Sequence, residues 1–338
     1  MNINVILNYQ ITTDKFHQNS TLDDLINDIN RNSSIGWKAM KYDRFINIEH
    51  HNSLNTFNII IDDPAGYFKN TPFVSYENVE IILPDTFDSR VQWNDCQTIG
   101  IISDESRCCA SYAIASVETM ANRLCIKSYG QATLLSAFDV LTCCTYCGKG
   151  CHAGYYIMPW NYWLEHGIVT GGPNLAYAGC KPYPYPKCHH HDHNKSDVLY
   201  PDCGQKRYNL PECIEKCQST YRIKYKKDKY YGRHYYRVSH HPINIQKEIY
   251  QYGPVEAAIS VYTDFLYYKS GIYQHARGTF LGYQAVRIIG WGIDNNQSYW
   301  LCTNSWNENW GEYGLFRIRR GQNESNIESY VVAGQPED

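Results

Sequence analysis

Apolar residues are spaced in two ways along this chain. Near the start, Leu22, Leu25, Ile26 and Ile29 recur at three- and four-residue intervals behind Ser20-Thr21, with Asp23 and Asp24 following. That spacing predicts a short amphipathic helix with a capped, acidic first turn. A second stripe, Ile114, Val117, Met120, Ala121 and Leu124, predicts a helix from Ser111 to about Leu124. The last third reads as short strands at 286–291, 298–303, 314–318 and 329–332. Between them, residues 143–217 are rich in Cys, Gly, Pro and Tyr and read as pinned loops. Helix first and strands last predict an α+β fold. No internal repeat is visible.

Composition narrows the function classes. The chain has 338 residues, 43% apolar and 14% aromatic, enough for a sizeable core and too apolar for disorder. No run of about 18 apolar residues occurs, so no membrane span is expected. Lys plus Arg number 31 against 34 for Asp plus Glu. That near balance gives no electrostatic case for nucleic acid or anionic lipid.

Cysteine marks a boundary. Residues 1–82 contain none, and residues 83–338 contain all 14. The first segment reads as a small appended unit. So many cysteines predict disulfides and an oxidising compartment. Zinc is the alternative: Cys144-Thr-Tyr-Cys147 has ligand spacing, but no second such pair matches it. No metal and no cofactor are expected. The first ten residues carry no Lys or Arg, and their apolar run is broken by Asn, so no secretory leader is recognisable. Either the true N-terminus lies upstream or the leader is atypical.

From residue 83 onward the chain resembles the papain-like cysteine peptidases, in particular their cathepsin B branch. The resemblance rests on Leu83-Pro-Asp-Thr-Phe-Asp-Ser-Arg90, Gly179-Cys-Lys-Pro-Tyr183 and Tyr252-Gly-Pro-Val-Glu256. It continues through Val261-Tyr-Thr-Asp-Phe-Leu266, Tyr268-Lys-Ser-Gly-Ile-Tyr-Gln-His275, Ile289-Gly-Trp-Gly292, Asn304-Ser-Trp306 and Val331-Val-Ala-Gly334. It implies a peptidase-like domain over 83–338, with a helical lobe and a β-barrel-like lobe flanking a substrate cleft. Residues 22–44, with Trp37-Lys-Ala, resemble the propeptide that blocks that cleft, so residues 1–82 are read as a propeptide-like segment. The family further implies an extracellular or lysosomal setting and a monomer.

The chemistry departs from the family. A cysteine peptidase needs a thiolate, an activating imidazole, a group orienting it, and oxyanion donors. In Cys108-Cys-Ala-Ser-Tyr112 the nucleophile position falls on Ser111. The family His falls on Gln284, within Gly282-Tyr-Gln-Ala-Val-Arg-Ile288. The orienting Asn is kept as Asn304, and the oxyanion Gln falls on Glu105. Ser111 without a base is a poor nucleophile, and Gln284 cannot accept a proton. In a hydrolase triad, losing nucleophile or base costs roughly a millionfold in turnover. A carboxylate about 4 Å from a developing oxyanion repels it by about 4 kcal/mol at an effective dielectric near 20.

Bland and rewired readings compete with this one. Cys109 with His152 as base would make a different catalytic pair, and Ser111 a residual one. Asn304 reads equally as a satisfied core polar group. Trp306 and Trp310 read as core as readily as substrate contacts. The substrate-binding Gly-Gly pair falls on Ala153-Gly154, narrowing one backbone approach. The acid of the main specificity pocket falls on Tyr330, which removes a charge and fills space.

Cys188-His-His-His-Asp-His193 lies where the family branch carries its occluding loop. By resemblance, His190 and His191 capture a peptide's terminal carboxylate, and Asp104 latches the loop. A solvated polar loop and a metal-binding histidine cluster are the alternatives. The resemblance also implies disulfides Cys96–Cys125, Cys108–Cys151, Cys143–Cys213, Cys144–Cys147, Cys180–Cys217 and Cys188–Cys203. Cys109 and Cys302 are left as thiols or as a pair with each other. The expected function is a catalytically inactive homologue binding peptides, protease inhibitors or a protein partner, with its own propeptide-like segment as one ligand. An active, rewired cysteine-type peptidase and a structural extracellular module are the competing classes.

Overall fold

The computed structural model describes residues 21–42, 57, 59–61, 66–176, 178–188, 200 and 208–337. His190, His191 and Cys203 lie outside the described residues.

The first stripe folds as predicted. Helix α1 (Leu22–Arg31) opens on a capping box, in which the Asp24 N–H donates to Thr21 Oγ1 and the Thr21 N–H to Asp24 Oδ2 at 2.7 Å. Ile29 is fully buried, with Leu22, Leu25 and Ile26 packed around it. Strand β1 (Trp37–Ala39) then pairs antiparallel with β8 (Tyr268–Tyr273). Gly271, opposite Trp37, has φ +96°, and a Cβ there would lie 2.5 Å from the Gly36 carbonyl. The described part of the N-terminal segment thus pairs with the sheet and shares its core.

The barrel-like lobe is one ten-stranded sheet. Its path runs β1, β8, β11 (Leu315–Arg319), β10 (Gln297–Thr303), β9 (Phe280–Asp294), β7 (Val255–Tyr262), β12 (Val331–Pro336), β6 (Gly232–Val238) and β3 (Phe73–Val74). Strand β4 (Phe87–Asp88) adds to β9 off this path. The predicted strands fall inside or across β9 to β12. Helix α7 (Pro242–Tyr252), where the sequence reading assigned no element, packs on this sheet and ends at Gly253, φ +98°.

The helical lobe centres on α4 (Ser111–Lys127), three residues longer than its apolar stripe predicts. Burial surrounds it on all sides, so it is the axis of the lobe and not a surface helix. Around it lie α5 (Ala137–Cys143), capped by Ser136, and α6 (Met158–Glu165), started by Pro159. Helix α6 corrects the reading of 143–217 as loops alone. Its Trp160 and Trp163 are fully buried, but the aromatic run gave no clean helical period. Short pieces α2 (Tyr67–Asn70), α3 (Ser89–Gln92), β2 (Ile59–Ile60) and β5 (Gly154–Tyr155) complete the described elements.

Arg287, on β9, ties the lobes together. It donates to Asn122 Oδ1 at 2.6 Å and lies 3.1 Å from the Glu118 carboxylate, both on α4. Disulfides join Cys96 to Cys125, Cys108 to Cys151, Cys143 to Cys213, Cys144 to Cys147 and Cys180 to Cys217. The widest closes 70 residues of separation, a loop for which chain entropy predicts about 4 kcal/mol. Cys109 and Cys302 are buried thiols and do not form the alternative disulfide with each other. Burial pushes the Cys302 thiol well above its ordinary pKa.

Candidate active site

Helix α4 begins where the lobes meet. Its N-cap residue, Ala110, has no side chain able to cap, so the exposed N–H groups of the first turn need another acceptor. Glu105 supplies it. The Ala110 and Ser111 N–H groups donate to Glu105 Oε2 at 2.9 and 3.0 Å. A carboxylate at a helix N-terminus is favoured by the axial dipole as well as by these bonds. The loop is held by Ser106 at φ +57°, by the Cys108 N–H donating to the Glu105 carbonyl, and by the Cys108–Cys151 bridge.

The second oxygen of Glu105 faces the barrel lobe. Gln284 Nε2 and Trp306 Nε1 both donate to Oε1 at 2.9 Å. Gln284 lies on β9 opposite Ile259, and its Nε2 also donates to Asn304 Oδ1 and Ser305 Oγ, each at 3.2 Å. Asn304 follows the end of β10; its Oδ1 accepts the Ser305 N–H at 2.9 Å, and its Nδ2 has no partner. The structure therefore gathers Glu105, Ser111, Gln284, Asn304 and Trp306, all buried, into one hydrogen-bonded cluster. Ser111 Oγ accepts from the Ala285 N–H at 3.4 Å, and among the described residues no imidazole bonds to it.

Glu105 is engaged by four donors of the protein itself. It already holds the Ser111 N–H, so a ligand oxygen arriving there meets a carboxylate and no donor. Tyr183 lies beside this anion, its hydroxyl donating to the Glu105 carbonyl at 3.0 Å. Burial, then the charges of Glu105 and Asp104, raise the Tyr183 pKa well above its ordinary value.

Other expected residues fall around this cluster. Asp104 is fully buried; Oδ1 accepts the Ser106 N–H at 2.8 Å, and Oδ2 accepts Cys188 N–H and Asn307 Nδ2, each at 2.9 Å. It therefore anchors the root of the histidine-bearing loop, whose tip lies outside the described residues. Gly154 packs so closely on Tyr112 that a Cβ would lie 2.3 Å from its ring. Ala153, half-buried, accepts the Lys149 N–H at 2.7 Å. Tyr330 meets Phe68 edge-on at 5.7 Å, so the chain's own N-terminal segment lies against it. Trp306 and Trp310 are core residues, with centroids 4.9 Å apart, though Trp306 also serves the site through its indole N–H.

Sequence reasoning missed Ser305, Phe57 and Phe68. The Phe57 carbonyl accepts the Tyr283 N–H at 3.0 Å, and its ring meets Trp306 edge-on. Two residues later, β2 pairs parallel with β5, Ile59 opposite Gly154. The segment therefore touches β9 on one side and β5 on the other, lying along the cleft. No local periodicity marks Phe57; its partners are more than 200 residues away.

Comparison with known proteins agrees with this architecture. The family model described as papain family cysteine protease matches residues 83–335. The cathepsin B-like cysteine proteinase of Schistosoma japonicum is 46% identical over 317 residues, covering 92% of this chain and 90% of that protein. Cathepsin B-like cysteine proteinase 6 of Caenorhabditis elegans is 41% identical, covering 93% and 83%. Among solved structures, proCathepsin B S9 from Trypanosoma congolense superposes with a TM-score of 0.77 at 33% identity, covering 92% of this chain and 97% of that one. A procathepsin L 3 of Tenebrio molitor, 19% identical, shares the fold with a TM-score of 0.63 over 92% and 86%. With its two-lobed papain-like fold and propeptide-like N-terminal segment, the chain belongs to the papain family of cysteine proteases and is similar to the cathepsin B-like proteinases within it.

Proposed function

We propose that this chain is a catalytically silent cathepsin B-like protein, a binder of peptides, protease inhibitors or a protein partner through the cleft of its 83–338 domain. One observation carries the reading: the Glu105 carboxylate accepts the Ser111 N–H and the Gln284 amide together. Read at the family's positions, that single contact set fills the oxyanion hole with an anion. It also puts a non-basic amide where the imidazole would stand. Gln284 keeps one half of the imidazole's work, an N–H given to Asn304, and lacks the proton-accepting half. The reading of the cleft as a peptide groove is supported by Phe57, whose carbonyl accepts from β9, and by Ile59 and Ile60, which pair with β5. His190 and His191 would add a carboxylate-binding end in this reading. Disulfides throughout the domain fit a secreted or lysosomal monomer.

The test is turnover and active-site labelling of purified protein, with the N-terminal segment intact and after its proteolytic removal. No cleavage of dipeptidyl fluorogenic substrates between pH 4 and 8, and no labelling by an epoxide probe, are expected. Turnover that survives Ser111→Ala and disappears with Cys109→Ser would overturn the proposal in favour of a rewired peptidase.

A further inference from the structure

Residues 71–79 hold an arrangement that the cleft does not use. The segment leaves α2 and joins the sheet beyond β6, with Phe73 beside Arg237 and Val74 beside Val238 in parallel register. The Arg237 N–H donates to the Pro72 carbonyl at 2.7 Å and the Ser239 N–H to the Val74 carbonyl at 2.9 Å. Arg237 Nε reaches the Thr71 carbonyl at 3.2 Å. Then the chain turns onto α7. The Tyr76 N–H donates to Asn244 Oδ1 at 2.7 Å, and Lys247 Nζ donates to the Tyr76 and Val79 carbonyls at 2.9 and 2.6 Å.

The Tyr76 side chain is the most specific contact. Its hydroxyl donates to Glu248 Oε2 inside the protein. The other oxygen of Glu248 pairs with Arg123 Nη1 at 2.8 Å and accepts the Tyr236 hydroxyl at 2.8 Å. Arg123 and Glu248 are both fully buried. A buried carboxylate placed to take a tyrosine hydroxyl is selective, because a phenylalanine there would leave an acceptor unsatisfied. None of these partners belongs to the Glu105 cluster. A cavity of about 370 Å³ runs beside the segment, lined by Pro72, Val74, Tyr76, Tyr236, Tyr252 and Gln335 among others. Past Val79 the chain turns outward, and Ile82 is 96% exposed.

We infer that the β6 edge, with Asn244, Lys247 and Glu248, is a second recognition site, for an extended peptide bearing a tyrosine, and that residues 72–79 are its resident occupant. Strand addition gives the affinity and the buried carboxylate gives the side-chain choice. The occupant stays in place when the chain is cut at the exposed stretch around Ile82. It also covers β6, which would otherwise be an open sheet edge. The inference does not depend on whether the cleft is silent.

The test uses the full chain with site-specific protease sequences inserted between residues 61 and 66 and after Ile82. Both are cut in the folded protein. The 66–82 fragment is then followed by gel filtration and mass spectrometry. It should co-elute with the protein, and Tyr76→Phe should release it about ten- to hundredfold faster. Circular dichroism before cutting checks the fold of the variant. Should that variant not fold, the cut wild-type protein is challenged with synthetic 66–82 peptides. The tyrosine form should displace the resident fragment at a concentration about tenfold below the phenylalanine form. Immediate loss of the wild-type fragment, or equal behaviour of tyrosine and phenylalanine forms in the measurement made, overturns the inference.

Discussion

Two carboxylates, Glu105 at the cleft and Glu248 beneath the 71–79 segment, are both buried and both accept several hydrogen bonds. They differ in the donors. Glu248 faces a guanidinium, Arg123, which offsets its desolvation with an opposite charge. Around Glu105 the described donors are two backbone N–H groups, an amide and an indole. The first arrangement holds two parts of the chain together. The second spends the donors at a helix N-terminus, which an enzyme of this fold would present to a substrate, on an internal anion. The same residue type therefore stabilises in one place and, in the function proposed here, silences in the other, according to which donors it removes from circulation.

The sharpest way to break the comparison is to empty the cleft cluster. Glu105→Gln, Ser111→Cys and Gln284→His together should raise peptidase turnover from background to a readily measured rate. In a hydrolase triad the missing groups are worth roughly a millionfold. Each single change should leave turnover at background, because the remaining two defects persist. Fluorogenic assays of the four variants decide this. Activity in a single variant would show that Glu105 and Gln284 do not act as one unit.

The Glu248 side is probed by stability. Arg123→Met removes the charge while keeping a flexible apolar stem. It also strips donors from the Pro254, Gly253 and Gly334 carbonyls. Breaking a buried pair from one side costs about 3–5 kcal/mol, and denaturant unfolding should show a loss of that order. An effect below about 1 kcal/mol would mean that the pair is not carrying its own desolvation.

Glu105→Gln alone gives a smaller effect of the same kind. Both oxygens of Glu105 accept two N–H groups, so an amide nitrogen in either place faces two donors. A loss of about 2–4 kcal/mol is expected. Adding Gln284→His should recover part of it, since the imidazole can present an acceptor. A double-mutant cycle reads that coupling. Additive losses would separate the two residues.

How far this was legible beforehand varied with the kind of interaction. Helices α1 and α4 follow from local apolar stripes at helical spacing, and β9 to β12 from short strand-like runs. Glu105, Ser111 and Gln284 stood out as residues against the expected family pattern. Their effect on one another did not: Glu105 meets Gln284 across 179 positions, and no spacing rule spans that distance. Phe57 and Tyr76 were invisible for the same reason. Helix α6 was lost because its buried face is made of Trp and Tyr among loop-forming neighbours. Asp104, read as a latch for the histidine loop, is buried at the loop root and holds the Cys188 N–H and Asn307, while the histidines it would latch lie outside the described residues.

Glu256 sharpens the comparison from the other end, as a buried carboxyl with almost nothing to accept. Trp160 Nε1 donates to its Oε2, while Oε1 has no partner. Arg287 lies opposite it in the β7–β9 register but spends its guanidinium on Asn122, Glu118 and loop carbonyls. Burial therefore dominates, and it raises the Glu256 pKa well above the ordinary 4.5, with the indole only partly opposing it. The unfolded chain loses this proton near the ordinary value, while the folded chain keeps it. Across the interval between those two pKa values the folded state binds more protons, so stability falls as pH rises through it. Glu256→Gln keeps an acceptor for the indole and removes the titration. Urea unfolding from pH 4.5 to 8 should then show wild type losing stability relative to the Gln variant as pH increases. Parallel curves would mean that Glu256 is ionised in the fold, and that a buried carboxylate here needs neither the guanidinium of Glu248 nor the four donors of Glu105.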